Sequence, residues 1–203
     1  MAKKITAWHT PNHGIHQTAA SRLQVMPNTL GKQGVCVSVE IREATVDDAA
    51  ALCDYAARLF AEELPGLFRR PTPTLEEECE FVLAHTLPAN SVLLIAELDG
   101  RLVGLAGLRG RVHAQEAHVA HAQLSVDGDH RGRGIGTLLL EGLFAWAAIH
   151  GVTRIEIEAL STNPGAIRLY ERVGFLRDGL RRGAVVVDGA YVDAVCLSRG
   201  PVA

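Results

Sequence analysis

The sequence has no long apolar run, no closely paired cysteines and no strong excess of charge of one sign. None of its apolar stretches reaches the roughly 18–20 residues that a helix needs to cross a bilayer, so no membrane span is expected. The net charge of −3 and the pI near 6.3 give no reason to expect a nucleic-acid partner. The basic start lacks the apolar segment of a signal peptide, and the four cysteines are scattered. These absences predict a cytoplasmic protein with reduced thiols.

What the chain does have is a glycine-rich loop between a strand-like segment and an apolar helix. The loop reads Arg131-Gly-Arg-Gly-Ile-Gly-Thr137, and it follows the strand-like segment that ends at Val126. Backbone N–H groups just ahead of a helix N-terminus favour an anion, and the two arginines add positive charge. The loop therefore predicts a phosphate site.

Two familiar phosphate loops fit this stretch poorly. A nucleotide P-loop needs a lysine after the glycines, and here Gly136 is followed directly by Thr137. A dinucleotide loop needs a further glycine at position 137, although Glu156 and Glu158 do lie where a ribose-binding acid is expected. A third alternative is the pyrophosphate of coenzyme A.

The length of 203 residues suits one domain with a sizeable core. Residues 1–37 have little periodicity and form an N-terminal extension with the composition of a disordered or surface-draped segment. His9, His13 and His16 in it have metal-like spacing, but no further ligand stands nearby and no metal is expected. Residues 38–203 form the domain. Periodicity and turn signals predict strands or hairpins at 38–42, 91–108, 117–126, 153–160 and 175–197, and helices at 45–60, 74–85, 135–146 and 163–173.

Two motifs resemble those of the Gcn5-related N-acetyltransferase (GNAT) superfamily. Leu124-Ser-Val126 followed by Arg131-Gly-Arg-Gly-Ile-Gly136 resembles its strand and pyrophosphate loop. Asn163-Pro-Gly-Ala-Ile-Arg-Leu-Tyr170, ending at Gly174-Phe175, resembles its next element. The resemblance implies an α/β (α+β) fold: a mixed, mostly antiparallel sheet of about 6–7 strands with a splayed parallel pair, flanked by about four helices.

The resemblance also implies acetyl-CoA as cosubstrate and assigns residues to it. The backbone around Leu124, Ser125 and Val126 would pair with the pantetheine arm, and Asn163 and Ala166 would contact it further along. The pyrophosphate would be held by the loop residues Arg131, Gly132, Arg133, Gly134, Ile135, Gly136 and Thr137.

The same resemblance makes Tyr170 the general acid that protonates the departing thiolate and places it beside the cofactor. A base is less clearly indicated, because the chain has Ala120 and Ala122 where some family members place Glu or His. His118 is the nearest titratable residue on that face of a simple strand and is the candidate base. Glu116, Glu156 and Glu158 are alternatives, while His121 is expected to face the other way.

The implied reaction is acetyl transfer to a primary amine by direct attack in a ternary complex. The acceptor is a small amine, a polyamine, an amino acid or a protein N-terminus. The glutamates between residues 62 and 80 indicate either a solvated helix surface or a site for a cationic acceptor. The family also suggests a homodimer through the C-terminal strands. The alternative is a catalytically silent CoA-binding sensor or interaction module of the same fold.

Overall fold

The computed structural model describes residues 22–23, 39–62, 64 and 71–200. Their regular elements are, in chain order, β1 (Arg22–Leu23), β2 (Glu40–Glu43), α1 (Ala49–Ala61), α2 (Leu75–Thr86), β3 (Val92–Leu98), β4 (Arg101–Gly110), β5 (Val119–Val126), α3 (Ile135–Ile149), β6 (Arg154–Leu160), α4 (Pro164–Arg172), β7 (Leu176–Val187) and β8 (Ala190–Arg199). Apart from β1, the predicted N-terminal extension lies outside the described residues, as do the three N-terminal histidines.

The strands form one mixed sheet in the order β1-β2-β3-β4-β5-β6-β8-β7. Of the pairings among the described strands, β5 with β6 is parallel and the others are antiparallel. The fold predicted from the resemblance is therefore confirmed. The sheet has eight strands rather than six or seven, because two residues of the extension, Arg22 and Leu23, pair with β2. A two-residue strand is too short to produce a periodic signal.

The centre of the sheet is the hairpin of β3 and β4, which turns at Asp99–Gly100 as predicted. Alternate residues of β3 enter two different apolar clusters: Leu93 and Ile95 face α1 and α2, whereas Val92 and Leu94 face α3. A strand covered on both faces reads as a continuous apolar run, which is why the hairpin was visible in the sequence.

Helices α1 and α2 cover one face of the sheet. The predicted capping box begins α2, since the Thr74 N–H donates to the Glu77 carboxylate at 2.7 Å and the Glu77 N–H donates to the Thr74 hydroxyl at 3.2 Å. Leu52, Tyr55 and Val82 are nearly inaccessible where the two helices meet the sheet. This face contains the smaller core cluster.

Helices α3 and α4 cover the opposite face and bury the larger cluster. Leu139, Leu140 and Leu143 of α3 are fully buried, and Ile167 and Tyr170 of α4 complete this side. The apolar stripe of α3 begins immediately after the glycine loop, so burial of the helix fixes the position of the loop.

Candidate active site

The parallel strands β5 and β6 separate soon after they meet. They pair only at Val119–Arg154, Ala120–Ile155 and His121–Glu156, after which β6 pairs with β8 alone. The His118 carbonyl accepts from the Arg154 N–H at 3.0 Å, and backbone groups alternate sides along a strand. The N–H and C=O groups of Leu124 and Val126 therefore face β6 across an open gap. The predicted splayed pair is present.

The glycine loop lies at the open end of this gap. Gly132 and Gly134 have φ angles of 73° and 85°, which other residues adopt only with strain, and Gly134 is the N-cap of α3. The six consecutive N–H groups from Gly132 to Thr137 have no hydrogen-bond acceptor among the described residues. No protein atom of that part of the chain would lie within 4 Å of a Cβ at Gly132 or Gly134. The loop thus presents a run of unbonded backbone donors with open space around Gly132 and Gly134, which fits a pyrophosphate.

The end of α1 braces the segment that joins β5 to the loop. Glu62 accepts from the Gly128 N–H at 2.8 Å, and its other oxygen lies 2.6 Å from the Arg131 guanidinium. Arg58 donates to the buried Asp127 carboxylate at 3.1 Å. Burial alone would raise the pKa of Asp127, but the Arg58 hydrogen bond, together with weaker partners, holds it below its usual value. The approach to the loop is therefore anchored by two carboxylates, those of Glu62 and Asp127.

Helix α4 brings Asn163, Ala166 and Tyr170 to the same side of the sheet. Asn163 caps the helix, because its Oδ1 accepts from the Ala166 N–H at 3.1 Å, and its Nδ2 donors have no partner among the described residues. Ala166 is half-buried against the larger cluster. Tyr170 is 5% exposed. Its hydroxyl has no hydrogen-bond partner in the described chain and is not completely buried. Burial raises the pKa of Tyr170 to about 12.

The candidate base His118 lies apart from this group. It precedes β5, on the paired side of the three β5–β6 contacts, and is exposed in a surface cavity that it shares with His150. Ala120 and Ala122, on the same face, are buried beneath α3 and offer no room for a base. His121 is exposed, at the last paired position on the other face, as expected.

The glutamates near the gap differ in whether their carboxylates are already bound by other residues of the protein. Burial would raise the pKa of Glu156, but hydrogen bonds from Arg111 and Arg154, at 2.9 and 3.0 Å, lower it. Glu158 lies beyond the last paired position and accepts from Arg181 at 2.6 Å. Glu116 is in an exposed 3₁₀ turn before β5. Of the glutamates proposed to attract a cationic acceptor, Glu62 is paired with Arg131 and Glu77 caps α2.

Two side-chain pairs on the α1/α2 face were not predicted from the sequence. Tyr55 donates to the Ser125 hydroxyl at 2.9 Å, so the Ser125 side chain ties β5 to α1 rather than entering the gap. Gln123 contacts the buried His85 of α2, with their Nε2 atoms 3.1 Å apart. Alternation along β5 shows that residues 121, 123 and 125 share a face, but it does not identify their partners on distant helices.

Comparison with known proteins shows the family to which the chain belongs. A model of the Acetyltransferase (GNAT) family matches residues 53–175, a range that includes the gap, the loop and Tyr170. The chain belongs to the GNAT acetyltransferase family. It is 35% identical over 163 residues to the N-alpha-acetyltransferase RimI of Mycobacterium tuberculosis, covering 79% of this chain and 92% of that protein. It is 29% identical over 110 residues to the L-amino acid N-acetyltransferase AaaT of Escherichia coli, covering 52% and 66%.

Solved structures share the fold of this GNAT acetyltransferase. A GNAT-family acetyltransferase from Streptococcus pneumoniae superposes with a TM-score of 0.75 at 24% identity, covering 81% of this chain and 100% of the other. The protein yncA of Salmonella typhimurium, solved with its cofactor acetyl-CoA, superposes with a TM-score of 0.72 at 22% identity, covering 80% of this chain and 94% of the other. No helix within the described ranges is long and apolar enough to cross a membrane.

Proposed function

We propose that this GNAT acetyltransferase moves the acetyl group of acetyl-CoA onto the α-amino group of a protein N-terminus or of a free amino acid. The observation that carries the proposal is the run of six N–H groups, Gly132 to Thr137, without an acceptor in the described chain. It lies beside an unpaired strand edge, at Leu124 and Val126. Coenzyme A has a group that matches each of these two features: its pyrophosphate matches the loop, and its amides match the strand edge.

The residues of the loop and of α4 fit the cofactor in different ways. In this proposal the backbone from Gly132 to Thr137 and the side chain of Arg133 hold the pyrophosphate, while Arg131 is shared with Glu62. The free Nδ2 donors of Asn163 bind the arm. Ala166 supplies a small side chain, and Ser125 contributes to the strand rather than to the cofactor, because its hydroxyl is bound by Tyr55.

Tyr170 is proposed as the general acid. Acetyl-CoA supplies an activated thioester, and the chain must deliver a proton to the departing sulfur. The Tyr170 hydroxyl has no competing protein partner in the described structure, and its pKa of about 12 keeps it protonated at neutral pH. Its ring lies beside that of Phe175, with the ring centroids 5.8 Å apart, and this contact helps to hold the Tyr170 side chain in place.

For removal of a proton from the acceptor ammonium we propose His121 rather than His118. His121 is exposed at the point where β5 and β6 separate, on the same face as Gln123. His118 lies three residues earlier, before the strand begins. An imidazole can remove a proton through a water near neutral pH.

The α-amine acceptor is favoured over a polyamine by two observations. The names of the relatives RimI and AaaT specify an N-alpha-acetyltransferase and an L-amino acid N-acetyltransferase. Two of the glutamates that could attract a polycation, Glu62 and Glu77, are already bound within the protein. The cytoplasmic location and the homodimer stay predictions.

The proposal is tested by measuring CoA binding and turnover on the same preparation. Calorimetry gives the affinity for CoA, and thiol release from acetyl-CoA is followed with L-amino acids, with peptides beginning in Ala, Ser or Met, and with spermidine and Nα-blocked lysine as controls. We expect turnover with α-amines alone. Turnover confined to the controls would contradict the acceptor class, and binding without any turnover would indicate the silent CoA-binding module. A chain that binds no CoA would disprove the cofactor assignment.

A further inference from the structure

We propose that His85 is a positioning residue: it orients the carboxamide of Gln123 so that the Gln123 carbonyl oxygen accepts a hydrogen bond from the acceptor amine. The inference rests on the proposed function, since it concerns how that acceptor is held. Neither residue belongs to the motifs of the glycine loop or α4. They are 38 positions apart in the chain and meet only through the packing of α2 on β5.

The tautomer of His85 is fixed by its surroundings. Nδ1 lies 2.8 Å from the Phe81 carbonyl oxygen, which can only accept, so Nδ1 must carry a hydrogen. The imidazole is 3% exposed, and its pKa is lowered by burial and, more weakly, by Arg109. A neutral imidazole with its hydrogen on Nδ1 has only a lone pair at Nε2.

That lone pair determines how Gln123 is turned. The Nε2 atoms of the two side chains are 3.1 Å apart, and only an amide N–H can face the lone pair of His85. The Gln123 carbonyl oxygen must therefore point away from His85. Without His85 the two orientations of the carboxamide would have similar shapes and no local reason to differ.

The Gln123 carbonyl oxygen is available for a ligand. It has no donor among the described residues, and it is not one of the fully buried polar atoms that lack a partner there. Gln123 lies two positions beyond the last β5–β6 pair, His121–Glu156, and on the same face. Continuing that register places Gln123 opposite Glu158, across the gap. An acceptor amine entering there carries N–H donors and needs acceptors of this kind.

The neighbouring strand is shaped to accommodate this pair. Gly107 of β4 lies directly across from Gln123. A Cβ at Gly107 would lie 2.9 Å from the Gln123 Nε2 atom and 3.1 Å from Cδ2 of His85, so any side chain there would displace the pair. The glycine thus allows the Gln123 side chain to lie across β4 and reach His85.

The test measures the acceptor KM separately from the acetyl-CoA KM. Gln123→Leu removes the carbonyl, and we expect the acceptor KM to rise about tenfold while the acetyl-CoA KM stays constant, since one hydrogen bond to a charged or polar donor is lost. His85→Met frees the carboxamide to rotate and should give a rise in the same direction. His85→Gln keeps an acceptor near the position of Nε2, so its acceptor KM should lie much closer to that of the wild type. Thr86→Val, which alters the next residue of α2, is the matched control.

Nuclear magnetic resonance of the wild-type protein tests the pair independently of activity. The nitrogen shifts of His85 should identify the Nδ1–H tautomer, and the Nε2–H tautomer would overturn the inference. It would also be overturned if Gln123→Leu left the acceptor KM unchanged in an enzyme that turns over, or if His85→Met reduced only thermal stability. Failure of the wild type to acetylate any α-amine would instead overturn the proposed function, and this inference with it.

Discussion

The Glu62 carboxylate, at the end of α1, lies 2.6 Å from the guanidinium of Arg131 in the glycine loop. The first positive charge of the proposed phosphate site is therefore paired with a carboxylate of the protein itself. The other oxygen of Glu62 accepts from the Gly128 N–H at 2.8 Å, so the same side chain also holds the approach to the loop. Glu62 has two opposed effects on CoA: it organises the loop and it competes with phosphate for Arg131.

Glu62→Gln separates these effects. The glutamine keeps a carbonyl for the Gly128 N–H but releases Arg131, so CoA should bind about two- to fivefold more tightly at low salt. The gain should shrink at about 0.5 M salt, because exposed charges are screened. Calorimetry at both salt concentrations measures it, with Glu141→Gln on the exposed side of α3 as a control of equal charge change. Weaker binding at both concentrations would show that holding the loop is the larger effect.

Gly134→Ala tests the conformation of the loop. Gly134 has a φ of 85° in otherwise open space, so a methyl group meets no clash but imposes backbone strain. We expect the free energy of unfolding to fall by about 1–2 kcal/mol and the affinity for CoA to fall with it, as the loop relaxes from its left-handed turn. Chemical denaturation and calorimetry measure the two effects. Gly165→Ala, in the first turn of α4 and without a positive φ, should lower neither quantity.

How far the sequence determines this structure depends on the range of each interaction. The Asp99–Gly100 hairpin and the Thr74–Glu77 capping box were predictable, because turns and caps are decided by neighbouring residues. The alternation of β5 correctly put Ala120, Ala122 and Leu124 on one face, but it could not show that α3 covers that face. The alternation therefore predicts a base on the face of the two alanines, which is the face that α3 buries.

The contacts that organise the candidate site are long-range and carry no local signal. Glu62 meets Gly128 from 66 positions away, and Tyr55 meets Ser125 from 70. Each of these side chains also fits an ordinary helix or strand surface, so nothing in its own segment marks it. The family motifs could single out the loop and Tyr170 as candidates because each motif is a short contiguous stretch of the chain.

Tyr170→Phe should lower kcat by about a hundredfold or more while the acetyl-CoA KM stays nearly constant, because a general acid acts in the transition state and not in binding. Stability should change little, since the hydroxyl has no protein partner in the described structure. With a pKa of about 12, Tyr170 should cause no alkaline loss of rate below about pH 10. Steady-state kinetics and denaturation measure these quantities. Unchanged kcat would exclude the acid role.

His121→Ala and His118→Ala distinguish the two histidines of this segment. If His121 removes the proton, His121→Ala should lower kcat/KM for the acceptor about a hundredfold near neutral pH. This deficit should be smaller at high pH, because the free amine is more abundant there. His118→Ala should behave like the wild type. The pH profile of kcat/KM for each variant gives the answer, and the reverse pattern would return the role to His118.

The buried His85 should make the protein less stable in acid. Its folded-state pKa is lowered from the ordinary value of 6.5, chiefly by burial, so the unfolded chain binds this proton more readily than the native one. The stability contributed by the neutral imidazole is complete above pH 6.5 and is lost as the pH falls toward and through the lowered pKa. Urea denaturation between about pH 7.5 and 5 should therefore show a declining free energy of unfolding. His85→Gln, which cannot be protonated, should flatten this decline, whereas His121→Gln, at an exposed position, should not. An unaltered slope in His85→Gln would mean that other groups dominate the acid response.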